Sequence, residues 1–271
     1  MSMALTIGFI GGGNMAEALI KGLLAQGHPA SQVAVADPSA ERRALLHNSY
    51  GVAITADNRA VAASCQLLVL AIKPQLAVTV AGELSGTVSG DHLLVSILAG
   101  TATATLERLL GAAPRMVRAM PNTPALVGCG ATAICAGRFA TAADLETAAA
   151  LFRAVGSVCT VSEGQMDAVT GLSGSGPAYV FSVIEALAEG GIREGLPRTV
   201  ALELATRTVL GAARLVAESG EEPAVLRQKV CSPGGTTLAG LTALEDGDLK
   251  GTLIEAVARA TSRSRELGQG K

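Results

Sequence analysis

A glycine-rich segment near the start of the chain has the residue types and the spacing that bind a pyrophosphate. It reads Gly-Gly-Gly-Asn-Met-Ala over residues 11–16 and so contains Gly11-x-Gly13-x-x-Ala16. In such a turn Gly11 permits the tight bend, Gly13 lets backbone N–H groups approach the anion, and Ala16 allows a helix to pack closely on a strand. The N–H groups at the start of that helix also attract negative charge. The segment therefore predicts dinucleotide binding, and the alternative is a glycine-rich turn without a ligand.

An acidic residue stands at the distance from this turn where a dinucleotide-binding fold contacts the adenosine ribose. Asp37 follows a second apolar run, 33–36, about 20 residues after the turn. Its carboxylate suits the free 2′-hydroxyl of NADH and would repel the 2′-phosphate of NADPH. Ser39, Arg42 and Arg43 follow, and their side chains can bind that phosphate. These residues alone therefore favour neither NADH nor NADPH clearly, because Asp37 supports the first and the residues after it support the second.

Three later segments place polar or small residues directly after apolar runs. They are Lys73-Pro74 after 67–72, Ala99-Gly100 after 93–98, and Asn122-Thr123 between two prolines after 115–119. In an open α/β sheet the ligand crevice lies at the carboxyl ends of the strands. Lys73-Pro74 is therefore predicted to face the cofactor. The small residues Ala99-Gly100 leave room for a flat group of the ligand to lie close. The loop at Asn122 is stiffened by its prolines and is predicted to form a wall of the site. Taken singly, each segment is equally well a simple turn.

A second glycine-rich segment, Ser232-Pro233-Gly234-Gly235-Thr236-Thr237, lies in the last part of the chain. It precedes a predicted helix over 236–243, so its glycines expose N–H groups beside hydroxyl side chains. Such an arrangement suits a carboxylate or a phosphate. The alternative is a helix N-cap with flexible glycines, because threonine is itself a good cap. Sequence physics alone does not separate these two interpretations.

The distribution of histidine and lysine bears on the kind of bond that such a site can reduce. All three histidines lie at or before His92, and no lysine occurs between Gln75 and Gln228. Reduction of a carbonyl usually needs a positioned acid such as His or Lys. An imine needs less, because its nitrogen is basic enough to arrive protonated near neutral pH. A hydroxyl donor then suffices, and the last part of the chain offers several.

Strands and helices must alternate in the first part of the chain to bring these segments to one edge. The pattern predicts strands at 5–10, 33–36, 67–72, 93–98, 115–119, 131–135 and 157–161, with helices at 14–26 and 39–49. This alternation predicts an α/β fold with a Rossmann-type, doubly wound and mainly parallel sheet, in a dinucleotide-binding domain over 1–163. The last strands follow one another too closely for full crossover helices. We therefore expect antiparallel additions at that edge.

The rest of the chain, 164–271, is predicted to be an all-α domain. No β-like run occurs after Gly164, and Pro177 and Pro197 each stand at the start of a long helical pattern. The segment 197–217 is apolar on nearly every side, and a helix of that kind is buried. About one hundred residues of helix cannot bury it without help, which predicts an interlocked homo-oligomer. A central helix in a monomeric bundle is the alternative.

Composition narrows the possible partners. The chain has 271 residues, of which 49% are hydrophobic, enough for a globular core. Its formal net charge is −2 without a run of basic residues, so nucleic acid and anionic membranes are poor partners. The apolar stretches are shorter than the roughly 20 residues of a membrane span, and no signal peptide is evident, which predicts a cytoplasmic protein. The five cysteines form no C-x-x-C pair, so we expect reduced thiols and no metal site.

Five motifs together resemble the pyrroline-5-carboxylate reductase family and occur in the family's order along nearly the whole chain. They are Ile7-Gly8-Phe9-Ile10 with the glycine turn, Ala71-Ile72-Lys73-Pro74-Gln75, Met120-Pro121-Asn122-Thr123-Pro124, Leu172-Ser173-Gly174-Ser175-Gly176-Pro177-Ala178-Tyr179 and Ser232-Pro233-Gly234-Gly235-Thr236-Thr237. The resemblance implies hydride transfer from a reduced nicotinamide to the C=N carbon of 1-pyrroline-5-carboxylate, which gives L-proline. It implies NADPH as the favoured cofactor, with NADH also accepted. It also implies a helical domain that interlocks in a dimer, commonly assembled further into a decamer.

The site residues of the family are carried over by motif. The resemblance implies that the pyrophosphate is held by Gly11, Gly12, Gly13, Asn14 and Met15. It implies that Asn58 lies near the adenosine ribose. It also implies that the nicotinamide side is lined by Lys73, Pro74, Ala99 and Gly100. Asp37, Ser39, Ala71 and Asn122 are also predicted to contact the cofactor. For the substrate, the resemblance implies that Ser232 and the backbone of Gly234, Gly235, Thr236 and Thr237 grip the carboxylate. The Thr237 hydroxyl then faces the ring nitrogen.

Two other interpretations stay open at this point. A β-hydroxyacid dehydrogenase has a similar two-domain build, but it needs a lysine on a substrate-domain helix, and none occurs between Gly164 and Gln228. A non-catalytic dinucleotide-binding protein can keep the same fold. The intact loop from Ser232 to Thr237 argues against that second alternative.

Overall fold

The first part of the chain folds around one eight-stranded sheet. The computed structural model describes residues 5–111 and 113–268. The strands are β1 (Ile7–Ile10), β2 (Val33–Ala36), β3 (Ala53–Thr55), β4 (Leu67–Leu70), β5 (Leu93–Ser96), β6 (Arg115–Met120), β7 (Gly130–Ala136) and β8 (Gly156–Thr160). They lie in the order β3-β2-β1-β4-β5-β6-β7-β8. The six strands from β1 to β6 are parallel, β7 is antiparallel to β6, and β8 is parallel to β7.

Helices connect most of these strands and make up the rest of the described chain. They are α1 (Asn14–Ala25), α2 (Ala40–Tyr50), α3 (Asn58–Ser64), α4 (Ala77–Leu84), α5 (Thr103–Leu110), α6 (Ala142–Arg153), α7 (Met166–Val169), α8 (Gly176–Arg193), α9 (Arg198–Ser219), α10 (Pro223–Val230), α11 (Thr236–Asp246) and α12 (Leu249–Gly268). The helices α1 to α5 each join one parallel strand to the next. The helix α6 joins β7 to β8.

The predicted α/β, Rossmann-type fold is confirmed, with two corrections at the edges of the sheet. The sequence pattern misses β3, because this strand has three residues and is only partly buried. The antiparallel addition of β7 is confirmed. The expectation that no crossover helix fits between the last strands is wrong, because α6 lies between β7 and β8 and makes that pair parallel. After β8 the described residues up to 268 contain helices and no strand, as predicted.

The core of the first part lies on both faces of the sheet. Successive residues of a strand point to opposite faces, so Phe9 packs in one apolar cluster with Leu19 and Phe152. Ile10 packs in the other cluster, with Leu94 among its members. Burial on both faces explains why the parallel strands read as continuous apolar runs.

The contacts divide the chain into two compact units. The described residues up to Ser175, together with those from Ala258 onward, form the first unit, and Gly176–Val257 form the second. The helix α12 contributes to both units, because it begins at Leu249 and ends at Gly268. The domain boundary at 163/164 stays a prediction.

The second unit has a very small core of its own. Its buried hydrophobic residues are Ala188, Ala201 and Ala205, all with small side chains. Large apolar side chains of α8, α9, α11 and α12 are exposed, among them Phe181, Leu187, Leu202, Leu204, Leu210, Leu215, Leu238 and Ile254. Soluble proteins rarely leave such contiguous apolar surface uncovered. Among the described residues, no helix combines the length and the apolar character needed to span a membrane.

Candidate functional site

The glycine turn between β1 and α1 has the geometry that the sequence predicts for a pyrophosphate site. Gly11 adopts a φ of 97°, and a Cβ atom there would lie 2.5 Å from the carbonyl oxygen of Ala71, so only glycine fits. Gly13 is the N-cap of α1, and no side-chain hydrogen bond caps this helix. A Cβ atom on Gly13 would meet no described atom within 4 Å. The helix therefore begins with uncapped N–H groups beside open space, which fits a bound pyrophosphate.

The other residues predicted to bind the cofactor follow the carboxyl ends of the parallel strands. β1 lies between β2 and β4, which is the switch point where open α/β sheets bind ligands. Asp37 and Ser39 follow β2, Asn58 opens α3 after β3, Ala71, Lys73 and Pro74 follow β4, Ala99 and Gly100 follow β5, and Asn122 follows β6. The structure therefore brings all of them to one edge of one sheet. Their roles as ligands stay predictions.

Charged side chains hold the peptide groups on both sides of Gly12. The Asp37 carboxylate accepts the N–H of Gly12 at 2.8 Å through Oδ2 and the N–H of Ser39 at 2.8 Å through Oδ1. The Arg42 Nε donates to the carbonyl of Gly12, and its Nη2 pairs with Glu17 in the first turn of α1. Asp37 and Arg42 thus bind the backbone of the glycine turn, which the sequence does not reveal.

The carboxylate of Glu17 receives a second hydrogen bond, from the hydroxyl of Tyr50 at 2.9 Å. Burial raises the pKa of Glu17, but the hydrogen bonds from Tyr50 and Arg42 outweigh it, so the pKa lies below its ordinary value. Burial and the neighbouring Glu17 raise the pKa of Tyr50. Both shifts keep the carboxylate ionised and the phenol protonated at neutral pH, so the contact to Arg42 persists.

Two further residues after β2 were predicted as phosphate ligands, and they lie close together. The Ser39 side chain caps α2 by accepting the N–H of Arg42 at 3.2 Å. The Arg43 Nη1 donates to the carbonyl of Asp37 at 2.7 Å and to that of Pro38 at 2.9 Å. The Arg43 guanidinium is therefore anchored at the carboxyl end of β2.

Asn58, after β3, is hydrogen-bonded to a neighbouring side chain, whereas Lys73, after β4, is exposed. The Asn58 amide donates to the Glu83 carboxylate at 2.6 Å, which fixes the start of α3. Lys73 is exposed and precedes a short 3₁₀ turn, Pro74–Leu76. A cation at this strand end remains accessible to an anionic or polar ligand.

Asn122 lies in the proline-rich loop after β6 and is almost fully buried, with 9% of its surface exposed. Both ends of its side-chain amide bind backbone groups of the first unit. One of these groups belongs to a π-helical turn, Thr170–Gly174, within the predicted motif around Ser173. The Asn122 side chain is therefore held in place, because both polar atoms of its amide are already bound.

The loop after β5 contacts the end of the last helix. Gly100 adopts a φ of 68°, and a Cβ atom on it would lie 3.3 Å from the carbonyl oxygen of Ser264. Ser264 is buried and donates to the Asp167 carboxylate at 2.7 Å. The C-terminal part of α12 thus supports the Ala99-Gly100 segment.

A buried polar cluster around Arg118, a residue of β6, was not predicted from the sequence. Arg118 is 4% exposed and pairs with Glu163 at 2.7 Å. The same carboxylate accepts the Thr103 hydroxyl at 2.9 Å and the Cys135 thiol at 3.4 Å. The sequence does contain a signal for this cluster, because Arg118 lies inside an apolar strand and a buried charge needs a partner.

The second glycine-rich segment forms an uncapped helix start in the second unit. Gly235 is the N-cap of α11, with no side-chain hydrogen bond to the helix, so neither threonine acts as the cap. The Gly235 N–H donates to the carbonyl of Ser232 at 2.9 Å, and a Cβ atom on Gly235 would lie 2.4 Å from Ser232 Oγ. Gly235 therefore leaves room for the Ser232 hydroxyl, and the free donors are those of Thr236 and Thr237. These features favour the anion-binding interpretation over a simple cap.

Comparisons with known proteins agree along the whole chain. A family model described as pyrroline-5-carboxylate reductase dimerisation matches residues 163–267. A second model, described as NADP oxidoreductase coenzyme F420-dependent, matches residues 6–100. The pyrroline-5-carboxylate reductase of Synechocystis sp. is 46% identical over 98% of this chain and 100% of its own length. That of Escherichia coli is 38% identical over 97% of this chain and 98% of its own length.

Solved structures give the same result. A pyrroline-5-carboxylate reductase from Coxiella burnetii superposes with a TM-score of 0.91 at 40% identity, covering 97% of this chain and 98% of its own. A pyrroline carboxylate reductase from Plasmodium falciparum with NADP bound superposes with a TM-score of 0.88 at 30% identity, with the same coverage of both chains. Because these structures cover 97% of this chain, the similarity extends over both the sheet and the helices that follow it.

Proposed function

This chain belongs to the pyrroline-5-carboxylate reductase family, and we propose on that premise that it reduces 1-pyrroline-5-carboxylate to L-proline. The observation that carries the proposal is the presence in one chain of two uncapped helix starts, at Gly13 and at Gly235. The first fits a pyrophosphate and the second fits a carboxylate. A bound reduced nicotinamide would supply the hydride for the C=N carbon.

The first unit supplies the residues proposed to bind the cofactor. The N–H groups after Gly11 bind the pyrophosphate, and the side chains after β2 and β3 lie on the ribose side. The residues after β4, β5 and β6 line the nicotinamide side, with Asn122 as a wall. The proposed cofactor contacts are Gly11, Gly12, Gly13, Asn14, Met15, Asp37, Ser39, Asn58, Ala71, Lys73, Pro74, Ala99, Gly100 and Asn122.

The loop before α11 supplies the residues proposed to bind the substrate. The Ser232 hydroxyl and the N–H groups of Thr236 and Thr237 hold the carboxylate at the positive end of the helix. The Thr237 hydroxyl donates a hydrogen bond to the ring nitrogen, which gains electron density as the hydride arrives. Gly235 contributes by having no side chain, because its own N–H is bound within the loop.

We propose that the enzyme accepts both NADH and NADPH and favours NADPH. Arg43 supports this preference, because its guanidinium is anchored at the end of β2, where the ribose 2′ position is expected. The Asp37 carboxylate works against a 2′-phosphate, but both its oxygens already accept backbone N–H groups. Those two bonds direct the carboxylate oxygens towards the backbone at Gly12 and Ser39.

We propose that the helical region 164–271 forms an interlocked dimer and that dimers assemble further into a decamer. The exposed leucines of α9 support the dimer, and so does the small core of the second unit, whose buried hydrophobic residues are three alanines. We place the enzyme in the cytoplasm, where its reduced nicotinamide cofactor is available.

The experiment that tests the function is a spectrophotometric assay with 1-pyrroline-5-carboxylate and each reduced cofactor. We expect oxidation of NADPH and NADH that depends on this substrate, with L-proline as the product. If the enzyme oxidises 3-hydroxy acids with NAD⁺ or NADP⁺ and does not reduce 1-pyrroline-5-carboxylate, it is instead a β-hydroxyacid dehydrogenase. Dinucleotide binding without turnover of either substrate would indicate a non-catalytic protein.

A further inference from the structure

The peptide groups flanking Gly12 are each bound by a charged side chain from the segment that follows β2. Asp37 accepts the N–H of Gly12 at 2.8 Å, and Arg42 donates to its carbonyl. A Cβ atom on Gly12 would lie 2.8 Å from Leu46 Cδ1, so a side chain there would have to displace the Leu46 side chain. Three consecutive glycines would otherwise sample many backbone conformations. These two contacts select one of them.

A second layer of contacts holds the arginine in place. Arg42 pairs with Glu17, the fourth residue of α1, and Glu17 accepts the hydroxyl of Tyr50, the last residue of α2. The Arg42 and Glu17 side chains are 21% and 26% exposed. The surface pair Arg153–Glu146 is 52% and 68% exposed. The shielded pair is less weakened by solvent than the surface pair, so it can restrain the turn.

The planarity of the peptide group connects Arg42 to the anion site. In a trans peptide the C=O and the following N–H point in opposite directions. Because Arg42 binds the carbonyl of Gly12, the N–H of Gly13 points away from the guanidinium. An N–H fixed in this way is ready for a phosphate without a further loss of backbone entropy.

We propose that Arg42 is a positioning residue that fixes the glycine turn together with the Asp37 contact to Gly12, so that Arg42 supports the binding of NADH and NADPH equally. This inference rests on the proposed function in so far as a dinucleotide is the ligand. It separates Arg42 from Arg43, which contacts the carbonyls of Asp37 and Pro38 and not the glycine turn. An arginine that served as a 2′-phosphate ligand would act on NADPH alone.

The test is a set of dissociation constants for NADH and NADPH, measured by fluorescence titration on the full-length enzyme. We expect Arg42→Ala to weaken both cofactors by the same factor, about tenfold, as for the loss of one charge-assisted hydrogen bond. Arg42→Lys should recover less than half of the loss, because an ammonium lacks the planar fork of donors with which the guanidinium binds Gly12 and Glu17 together. Glu17→Gln should give a smaller loss that is again equal for the two cofactors.

Arg153→Ala, which breaks the exposed pair with Glu146, is the matched control and should bind both cofactors as the wild type does. Loss of NADPH affinity alone in Arg42→Ala would overturn the inference, and so would unchanged affinity for both. If Arg42→Ala does not fold, Glu17→Gln decides between the same outcomes. Wild-type enzyme that binds neither dinucleotide would refute the proposed function instead.

Discussion

The side-chain amide of Asn122 donates to the carbonyl of Ser173 at 3.1 Å, across 51 residues of sequence. Its Oδ1 accepts the N–H of Ala131 at 2.9 Å. One residue therefore joins the loop after β6, the start of β7 and the π-helical turn Thr170–Gly174. Short π-helical turns often occur at functional sites, and this one lies directly before α8.

Asn122→Ala should destabilise the first unit. The substitution leaves the N–H of Ala131 and the carbonyl of Ser173, both in half-buried residues, without their side-chain partner, at about 1 kcal/mol for each group. We expect the denaturant midpoint of the first unit to fall accordingly. The control is Asn48→Ala on the exposed face of α2, which should change stability by less than about 0.5 kcal/mol. An unchanged midpoint in Asn122→Ala would show that water replaces both bonds.

Arg43→Ala should discriminate between the two cofactors. Its guanidinium lies at the end of β2, so its loss removes a charge-assisted contact to a 2′-phosphate and none to a 2′-hydroxyl. We expect kcat/KM for NADPH to fall about tenfold, while kcat/KM for NADH stays within about twofold of the wild type. Equal losses for both cofactors would show that Arg43 instead stabilises the end of β2.

The local features of the cofactor half could be predicted because they are encoded by neighbouring residues. The spacing of Gly11, Gly13 and Ala16 predicts a strand, a turn and a helix, and the structure has all three. Glycine at position 11 is required by its φ of 97°, which is a property of the local chain. Asp37 is likewise predicted correctly as the end of a strand.

The features that the sequence does not reveal depend on partners far along the chain. The partner of Arg42 is the backbone carbonyl of Gly12, and no pattern of residue types identifies a carbonyl. The ion pair between Arg118 and Glu163 spans 45 residues. The parallel pairing of β8 depends on how α6 packs, and the spacing of the strands alone does not fix it.

Substitution of an exposed leucine in α9 should disrupt the dimer. Leu204 is 53% exposed in the single chain, while its neighbour Ala205 is buried. We expect wild-type enzyme to sediment as a dimer or larger species at micromolar concentration and Leu204→Glu to dissociate or aggregate, since a charge would be buried without a partner. Arg153→Ala, in the first unit, should leave the sedimentation unchanged. A compact wild-type monomer would contradict the proposed dimer.

Four of the five cysteines should fall into two classes of reactivity. Burial and the neighbouring carboxylate of Glu163 raise the pKa of Cys135 to about 12, and burial raises the pKa of Cys65. Cys129 and Cys159 are exposed. The thiolate is the reactive form, so at pH 8 iodoacetamide should label Cys129 and Cys159 and leave Cys65 and Cys135 unmodified until the protein is unfolded. Peptide mass spectrometry with and without denaturant checks this assignment.

The same shift predicts a pH dependence with a definite sign. A raised pKa keeps a thiol protonated at low pH, and its reactivity grows as the pH rises towards that pKa. Between pH 7 and 10 the alkylation rate of Cys135 should rise about tenfold per pH unit without a plateau. A plateau for Cys135 below pH 9 would show that its thiol is not desolvated.

Substitutions in the loop before α11 should separate substrate binding from the chemical step. A carboxylate is present in both the ground state and the transition state, so Ser232→Ala should act mainly on the KM for 1-pyrroline-5-carboxylate. Gly235→Ala should raise the same KM, because its Cβ would displace the Ser232 hydroxyl. Both variants should keep the wild-type affinity for NADPH, measured by fluorescence titration.

Thr237 is the residue whose removal should lower turnover. The second unit offers no histidine, and Thr237 lies in the first turn of α11 with its N–H uncapped. A neutral donor held there can stabilise the nitrogen as it gains electron density. Loss of one such donor typically lowers kcat by about 10²- to 10³-fold, and we expect the lower end for Thr237→Ala because the imine can arrive protonated. Thr237→Ser retains the hydroxyl and should keep most of the activity, with NADPH affinity intact in both variants. Full turnover in folded Thr237→Ala would instead assign the proton to a bound water or to Lys73.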